Sequence, residues 1–142
     1  MNEPVREAIW GLWGAGLRAK GGIVPDQSTL VANLRENMAR FVRERDWDQF
    51  HSPKNLAMAL AVEAAELMEH FLWIDNATSR DIVKDPVELG RVADEIADVT
   101  WLVLALVNAL GLDLSDTVAR KMAKNIIKYP VAKCRGRFRV EE

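Results

Sequence analysis

The run VTWLVLALVNALGL, residues 99–112, is the strongest constraint on how this chain folds. At helical spacing it is apolar on almost every side, so a helix containing it needs neighbours all round rather than along one stripe. Pro86 fits the first turn of such a helix, and Gly111 stands where a C-cap glycine belongs, which sets the limits at about Pro86 and Leu110. This is the central helix, and the rest of the chain must cover it.

Three further segments read as helices. The first begins near Ser28, whose hydroxyl is suited to cap free amides, and carries Leu30, Leu34, Phe41 and Val42 to about Arg45. WDQFHSPKN breaks it, because Pro53 disfavours helical geometry at Ser52 while fitting the first turn of the next helix. That second helix runs from Pro53 to about Ile74 with Ser52 as N-cap, and DNATSRDIVKDP reads as a polar connection to the central helix. The last helix is capped by Asp113 or Ser115 and ends at Lys128, before Tyr129-Pro130. No run of alternating β-branched residues occurs, so no strand is expected. The fold class is all-α: a four-helix bundle over residues 28–130. Residues 1–27 form an extension in which Val5, Ile9, Leu12, Trp13 and Leu17 recur at helical spacing, predicting an amphipathic helix over 4–19. The mixed-charge residues 131–142 read as a mobile tail.

Composition narrows the function. A chain of 142 residues that is 49% hydrophobic suits one compact domain. Its 19 basic and 21 acidic side chains, net charge −2, lack the basic footprint of a protein that binds a nucleic-acid polymer. Cys134 is the sole cysteine, so no internal disulfide forms, and a reducing, cytoplasmic location is expected. The apolar stretch Ile9–Leu17 is interrupted by glycines and too short to span a bilayer, and neither an export signal nor a membrane role is expected.

The second helix carries an anomaly. At about 100° per residue, Leu56, Leu60, Leu67, Phe71 and Ile74 share one stripe, yet Glu63 falls inside that stripe and Glu66 at its edge. The central helix repeats the pattern: Glu95 lies within about 20° of Leu102 and Leu106, and Asp98 follows it by one helical turn. Helices joined by a short loop usually pack antiparallel, which sets Glu63 and Glu66 opposite Glu95 and Asp98. Four carboxylates in one cleft repel unless protons or cations neutralise them. Oxygen-only ligands suit Mg²⁺ or Mn²⁺. A di-iron site expects Glu-x-x-His, whereas His70 follows Leu67. Paired acids of this spacing also occur as solvated faces, and that alternative stays open here; Glu69 and Asp94 fall away from the stripe and read as solvated.

These residues resemble a known family. E63-A-A-E66 followed by E95-I-A-D98 is similar to the E-x-x-E…E-x-x-D signature of the all-α, MazG-like nucleoside triphosphate pyrophosphatases. FVRERDWDQFHSPKNLAMAL, EAAELMEHFLW and KMAKNIIKYP, in that order, resemble its dCTP pyrophosphatase branch. The resemblance implies Mg²⁺-dependent hydrolysis of a (deoxy)nucleoside triphosphate, such as dCTP or a modified dCTP, to the monophosphate and pyrophosphate. It implies that Glu63, Glu66, Glu95 and Asp98 are metal ligands and catalytic, that Lys121, Asn125 and Lys128 bind phosphate, that Tyr129 closes the site or packs beside it, and that Trp47 and Trp73 stack on the base. It also implies a homotetramer of paired dimers with pockets near the subunit boundaries. Met38 and Leu102 depart from the polar or aromatic pocket residues of that branch, which bears on base preference. His51 and Lys54 fall near the expected pocket mouth without an assigned role, and Trp101 reads as core or subunit interface. The alternatives are a broad-specificity pyrophosphatase of the same fold and a noncatalytic helical interaction module.

Overall fold

The computed structural model describes residues 24–137. The expected helix over 4–19 lies outside the described residues. The described part divides into two units, one ending at Leu110 and one beginning at Gly111. Among the described residues there is no strand, and no single helix is long and apolar enough to cross a membrane.

In the first unit, α1 spans Val31–Arg43, α2 Pro53–Glu69, α3 Asn76–Asp81 and α4 Pro86–Ala109. Both α1 and α2 pack on α4. The buried side chains, Met38 and Val42 of α1, Leu56 of α2, and Val92, Leu104, Ala105 and Val107 of α4, put the apolar run at the centre, as its composition requires. A reciprocal polar clamp fixes α1 to α4: Arg35 Nε donates to Asn108 Oδ1 at 2.8 Å, and Asn108 Nδ2 donates to the Arg35 carbonyl at 3.0 Å. Asn108, the amide within the apolar run, thereby gains partners, and burial without them would be costly. Phe41 joins the same interface edge-on, with its ring centroid 5.0 Å from that of Trp101 and 5.8 Å from that of Trp47. Trp101 therefore packs within its own chain.

Several boundaries follow the sequence reading. Ser52 Oγ accepts from the Asn55 amide at 3.3 Å, and Asp113 accepts from the Asp116 amide at 2.8 Å at the start of α5, Leu114–Lys128, in the second unit. Gly111 has φ +62°, the left-handed region expected of a C-cap glycine.

Three expectations need correction. Ser28 does not cap the first helix; it lies in a 3-10 turn, Asp26–Ser28, and donates to the Pro25 carbonyl, while Leu30 precedes α1 and its amide donates to Asn33 Oδ1 at 3.1 Å. The second helix stops at Glu69 rather than Ile74, and the Phe71 amide reaches back only three residues, to the Met68 carbonyl. The connection that follows is not irregular. Asp75 accepts from the Thr78 amide at 2.7 Å and starts α3, and a 3-10 turn over Ile82–Lys84 leads to Asp85, which accepts from the Val87 and Glu88 amides and starts α4. Two aspartate caps thus turn a polar linker into helix. Residues 131–134 of the tail form one further helical turn, α6, Val131–Cys134.

Candidate active site

Three pairs of neighbours establish that α2 and α4 run antiparallel. Pro53 shares a cavity with Ala105, Asn108 and Ala109, Glu63 and Glu66 meet Glu95, and His70 Nδ1 lies 3.9 Å from Glu88 Oε2. Position rises along α2 as it falls along α4. The acids face each other near the middle of this pair, where both helices are firmly held.

Glu63, Glu66 and Glu95 each offer a carboxylate oxygen, and these oxygens all lie within 4.8 Å of one another. Glu63 and Glu95 are half-buried and Glu66 is exposed. Burial, followed by the charges of Glu66, Asp98 and Glu95, holds the Glu63 carboxyl above its ordinary value. Glu95 Oε2 is buried and has no hydrogen-bond partner. A buried carboxylate oxygen without a donor is a costly arrangement in isolation, and a cation is the partner such an oxygen lacks. The donor set is oxygen only, with neither Cys nor His, which fits a hard divalent cation and not a thiolate- or imidazole-bound one.

Asp98 is exposed, as Glu66 is, and stands outside the three-carboxylate group, although its charge reaches Glu63. Glu69 and Asp94 are exposed, as their wheel positions require.

A cavity of about 310 Å³ opens beside the C-terminal end of α4. Its walls are Met38, Ala39 and Val42 from α1, Asp48 and His51 from the connection into α2, Pro53 at the start of α2, and Ala105, Asn108 and Ala109 from α4. Ala105 follows Asp98 by two helical turns on the same stripe of α4, which sets the cavity roughly 10 Å along the axis from the acids. The sequence reading gave Asp48 and Asn108 no role and left His51 unassigned. A signal existed in Asn108, a polar residue within an apolar run, but nothing in its spacing pointed to a cavity.

Trp47 is the residue before the 3-10 turn Asp48–Phe50, next to this cavity, and Trp73 follows the end of α2 and is 93% exposed. They therefore lie toward opposite ends of α2, whose 17 residues span roughly 25 Å. Leu102 is half-buried and Lys54 exposed. The remaining expected substrate residues belong to the second unit. There Lys121 and Lys128 are exposed and Asn125 half-buried on α5, and Lys128 Nζ lies 5.2 Å from the Tyr129 ring centroid.

Comparison with known proteins adds a family to this geometry. The model of the MazG-like family matches residues 58–137, a span holding all four acids. The chain is 33% identical over 130 residues to dCTP pyrophosphatase 1 of Bos taurus, covering 92% of this chain and 77% of that protein. It is 38% identical over 106 residues to dCTP pyrophosphatase 1 of Rattus norvegicus, covering 75% of this chain and 62% of that one. For the Homo sapiens protein of the same name the identity is 36% over 109 residues, covering 77% and 64%. The chain thus spans less than two thirds of the rat and human relatives. Among solved structures, a pyrophosphatase from Archaeoglobus fulgidus is similar with a TM-score of 0.65 at 35% identity, covering 70% of this chain and 91% of that one.

Proposed function

The chain belongs to the MazG-like family, and from that premise we propose that it hydrolyses a deoxynucleoside triphosphate, dCTP or a modified dCTP, to the monophosphate and pyrophosphate. Such a reaction clears selected nucleotides from the pool, and a cytoplasmic location goes with it. The observation that carries the reading is the convergence of Glu63, Glu66 and Glu95 around an otherwise unpartnered Glu95 oxygen. A phosphate chain is a polyanion, and a cluster of bare carboxylates repels it; the same cluster with bound cations attracts it.

Glu63, Glu66 and Glu95, with Asp98 at the margin, would hold Mg²⁺, or Mn²⁺ in its place. Bound there, a divalent ion supplies charge neutralisation for the phosphates and acidity for the attacking water. The chain's own residues do the rest. A carboxylate of this cluster is suited to take a proton from water as it adds to the α-phosphorus and pyrophosphate leaves. Lys121, Asn125 and Lys128 recur along one side of α5, with Tyr129 following them, and the phosphate-binding role proposed for them rests on the family resemblance. The cavity beside Trp47 receives the base, and the triphosphate extends along α4 from Ala105 toward Asp98.

Trp47 and Trp73 cannot both stack on one base within a single chain, because the length of α2 separates them. Their joint role requires a second copy, whose exposed Trp73 reaches the first copy's cavity. A homotetramer of paired dimers with pockets at subunit boundaries satisfies this. Exposed apolar side chains such as Met58 and Val62 on α2 and Val87 on α4 supply surface for the contact.

Incubation of the chain with a panel of nucleoside triphosphates, with and without Mg²⁺, and measurement of released pyrophosphate tests the proposal. Pyrophosphate from dCTP only in the presence of the metal supports it. A panel in which no nucleotide is turned over leaves the noncatalytic module as the better account, and equal turnover of all supports the broad-specificity enzyme.

A further inference from the structure

The polar inventory of the cavity beside Trp47 is one-sided. Asn108 is engaged in the clamp to α1, Oδ1 accepting from Arg35 Nε at 2.8 Å and Nδ2 donating one of its two hydrogens to the Arg35 carbonyl at 3.0 Å. His51 Nδ1 lies 2.7 Å from the Trp47 carbonyl. A carbonyl only accepts, so Nδ1 carries the hydrogen, and in that tautomer Nε2 is left as an acceptor. The Asp48 carboxylate makes no hydrogen bond or ion pair among the described residues, and ionised it is an acceptor only. Met38, Val42 and Ala105 give the opposite wall no polar atoms.

We propose that Asp48, with His51 beside it, reads the exocyclic amino group of the base and makes the pocket select cytosine over uracil or thymine. The inference rests on the pyrophosphatase reading above and adds to it a residue that sets specificity. Outside the Arg35–Asn108 clamp, the side-chain groups the cavity offers, the Asp48 carboxylate and His51 Nε2, are acceptors and suit a ligand edge that donates. The 4-amino group of cytosine donates, and a carboxylate is its usual side-chain partner. Uracil and thymine present an oxygen at the same position, which sets lone pairs against the Asp48 charge with no hydrogen between them. Met38 in the wall offers no hydrogen bond, so base reading falls to the acceptors in the connection between α1 and α2. Asp48 is well placed for this because its carboxylate makes no bond among the described residues, whereas Asn108 holds two helices together.

The test compares kcat/KM for dCTP and dUTP, which differ at that edge, in the parent chain and in Asp48→Asn and Asp48→Glu. The parent should favour dCTP by roughly 10- to 100-fold, the range of one well-made base contact. In Asp48→Asn the ratio should collapse toward unity or invert, carried mainly by KM, because the amide can also donate to the 4-oxygen. Asp48→Glu keeps the carboxylate and should keep the preference for dCTP. Each ratio is taken within one preparation, so a smaller folded fraction lowers both values alike and leaves it unchanged. A strong dCTP preference that survives in Asp48→Asn overturns this inference and leaves the pyrophosphatase reading standing. A parent that turns over neither nucleotide overturns both.

Discussion

Glu63→Gln preserves side-chain volume and removes a charge, so it separates ligand chemistry from packing. Loss of a residue that merely supports a metal ligand costs about 10- to 100-fold, and loss of a ligand should cost at least the upper figure. Turnover in Glu63→Gln is therefore expected to fall by about 100-fold or more with helical content intact by circular dichroism; full activity would remove the carboxylate cluster from the mechanism. The raised carboxyl of Glu63 also sets a direction with pH. A group whose folded value lies above its unfolded value stabilises the fold fully below the unfolded value, and that contribution is lost as pH rises through the folded one. Metal-free protein should accordingly lose this stabilisation between the ordinary carboxylate range and the raised value of Glu63. Added Mg²⁺ should raise Tm most on the alkaline side of that window, where the carboxylates are ionised and binding favours the folded state. Melting curves in chelator and in Mg²⁺ across that range check the sign, and a Tm indifferent to Mg²⁺ at neutral pH would contradict it. Trp73, at 93% exposure, has no core role in its own chain. Trp73→Ala should hold chain stability within about 0.5 kcal/mol. KM should rise by the equivalent of about 1–3 kcal/mol of lost base stacking. A sharp drop in Tm with an unchanged KM would refute the stacking role.

Helix ends were legible wherever a capping side chain and a proline or glycine coincided. Ser52-Pro53 and the Gly111–Asp113 pair both lie where the sequence indicates. Ends governed by competing local bonds were less legible: Ser28 turned back on Pro25, and Asp75 captured the Thr78 amide and began a helix inside a segment rich in loop formers. Asp75 is held below the usual carboxylate range by that amide, so its capping persists into moderately acidic solution and is lost as pH falls through the lowered value. Gly111 permits a clean test at this scale. Nothing lies within 4 Å of where a Cβ would stand, so Gly111→Ala meets no clash and only the strain of φ +62°. That strain should cost about 1–2 kcal/mol, read as a lower Tm in thermal melts. An unchanged Tm would mean that the turn can relax out of the left-handed conformation.

At the scale of the whole molecule, the central helix still asks for more cover than the first unit gives. Its buried residues are Val92, Leu104, Ala105 and Val107, while Ile96 is 50% and Leu110 51% exposed. Met58, Val62 and Val87 add apolar surface on the same unit. Association with further copies would bury this surface, and light scattering should report a stable assembly, with four copies expected, that carries the pyrophosphatase activity. A fully active particle of the single-chain mass, 16.0 kDa, would overturn both the assembly and the shared pocket.

The sequence by itself determined the helical class, the central place of residues 99–112 and the pairing of acids on two helices, because each of these is a local periodicity read along one element. Tertiary structure decided how the acids are used. Glu63, Glu66 and Glu95 converge with Asp98 at their margin, since convergence depends on the register and rotation of α2 against α4, which neither helix encodes alone. It also decided that Asp48 and His51, three residues apart, share one cavity with the distant Asn108. The Arg35–Asn108 clamp and the Phe41–Trp101 contact join α1 and α4, the two helices that wall that cavity.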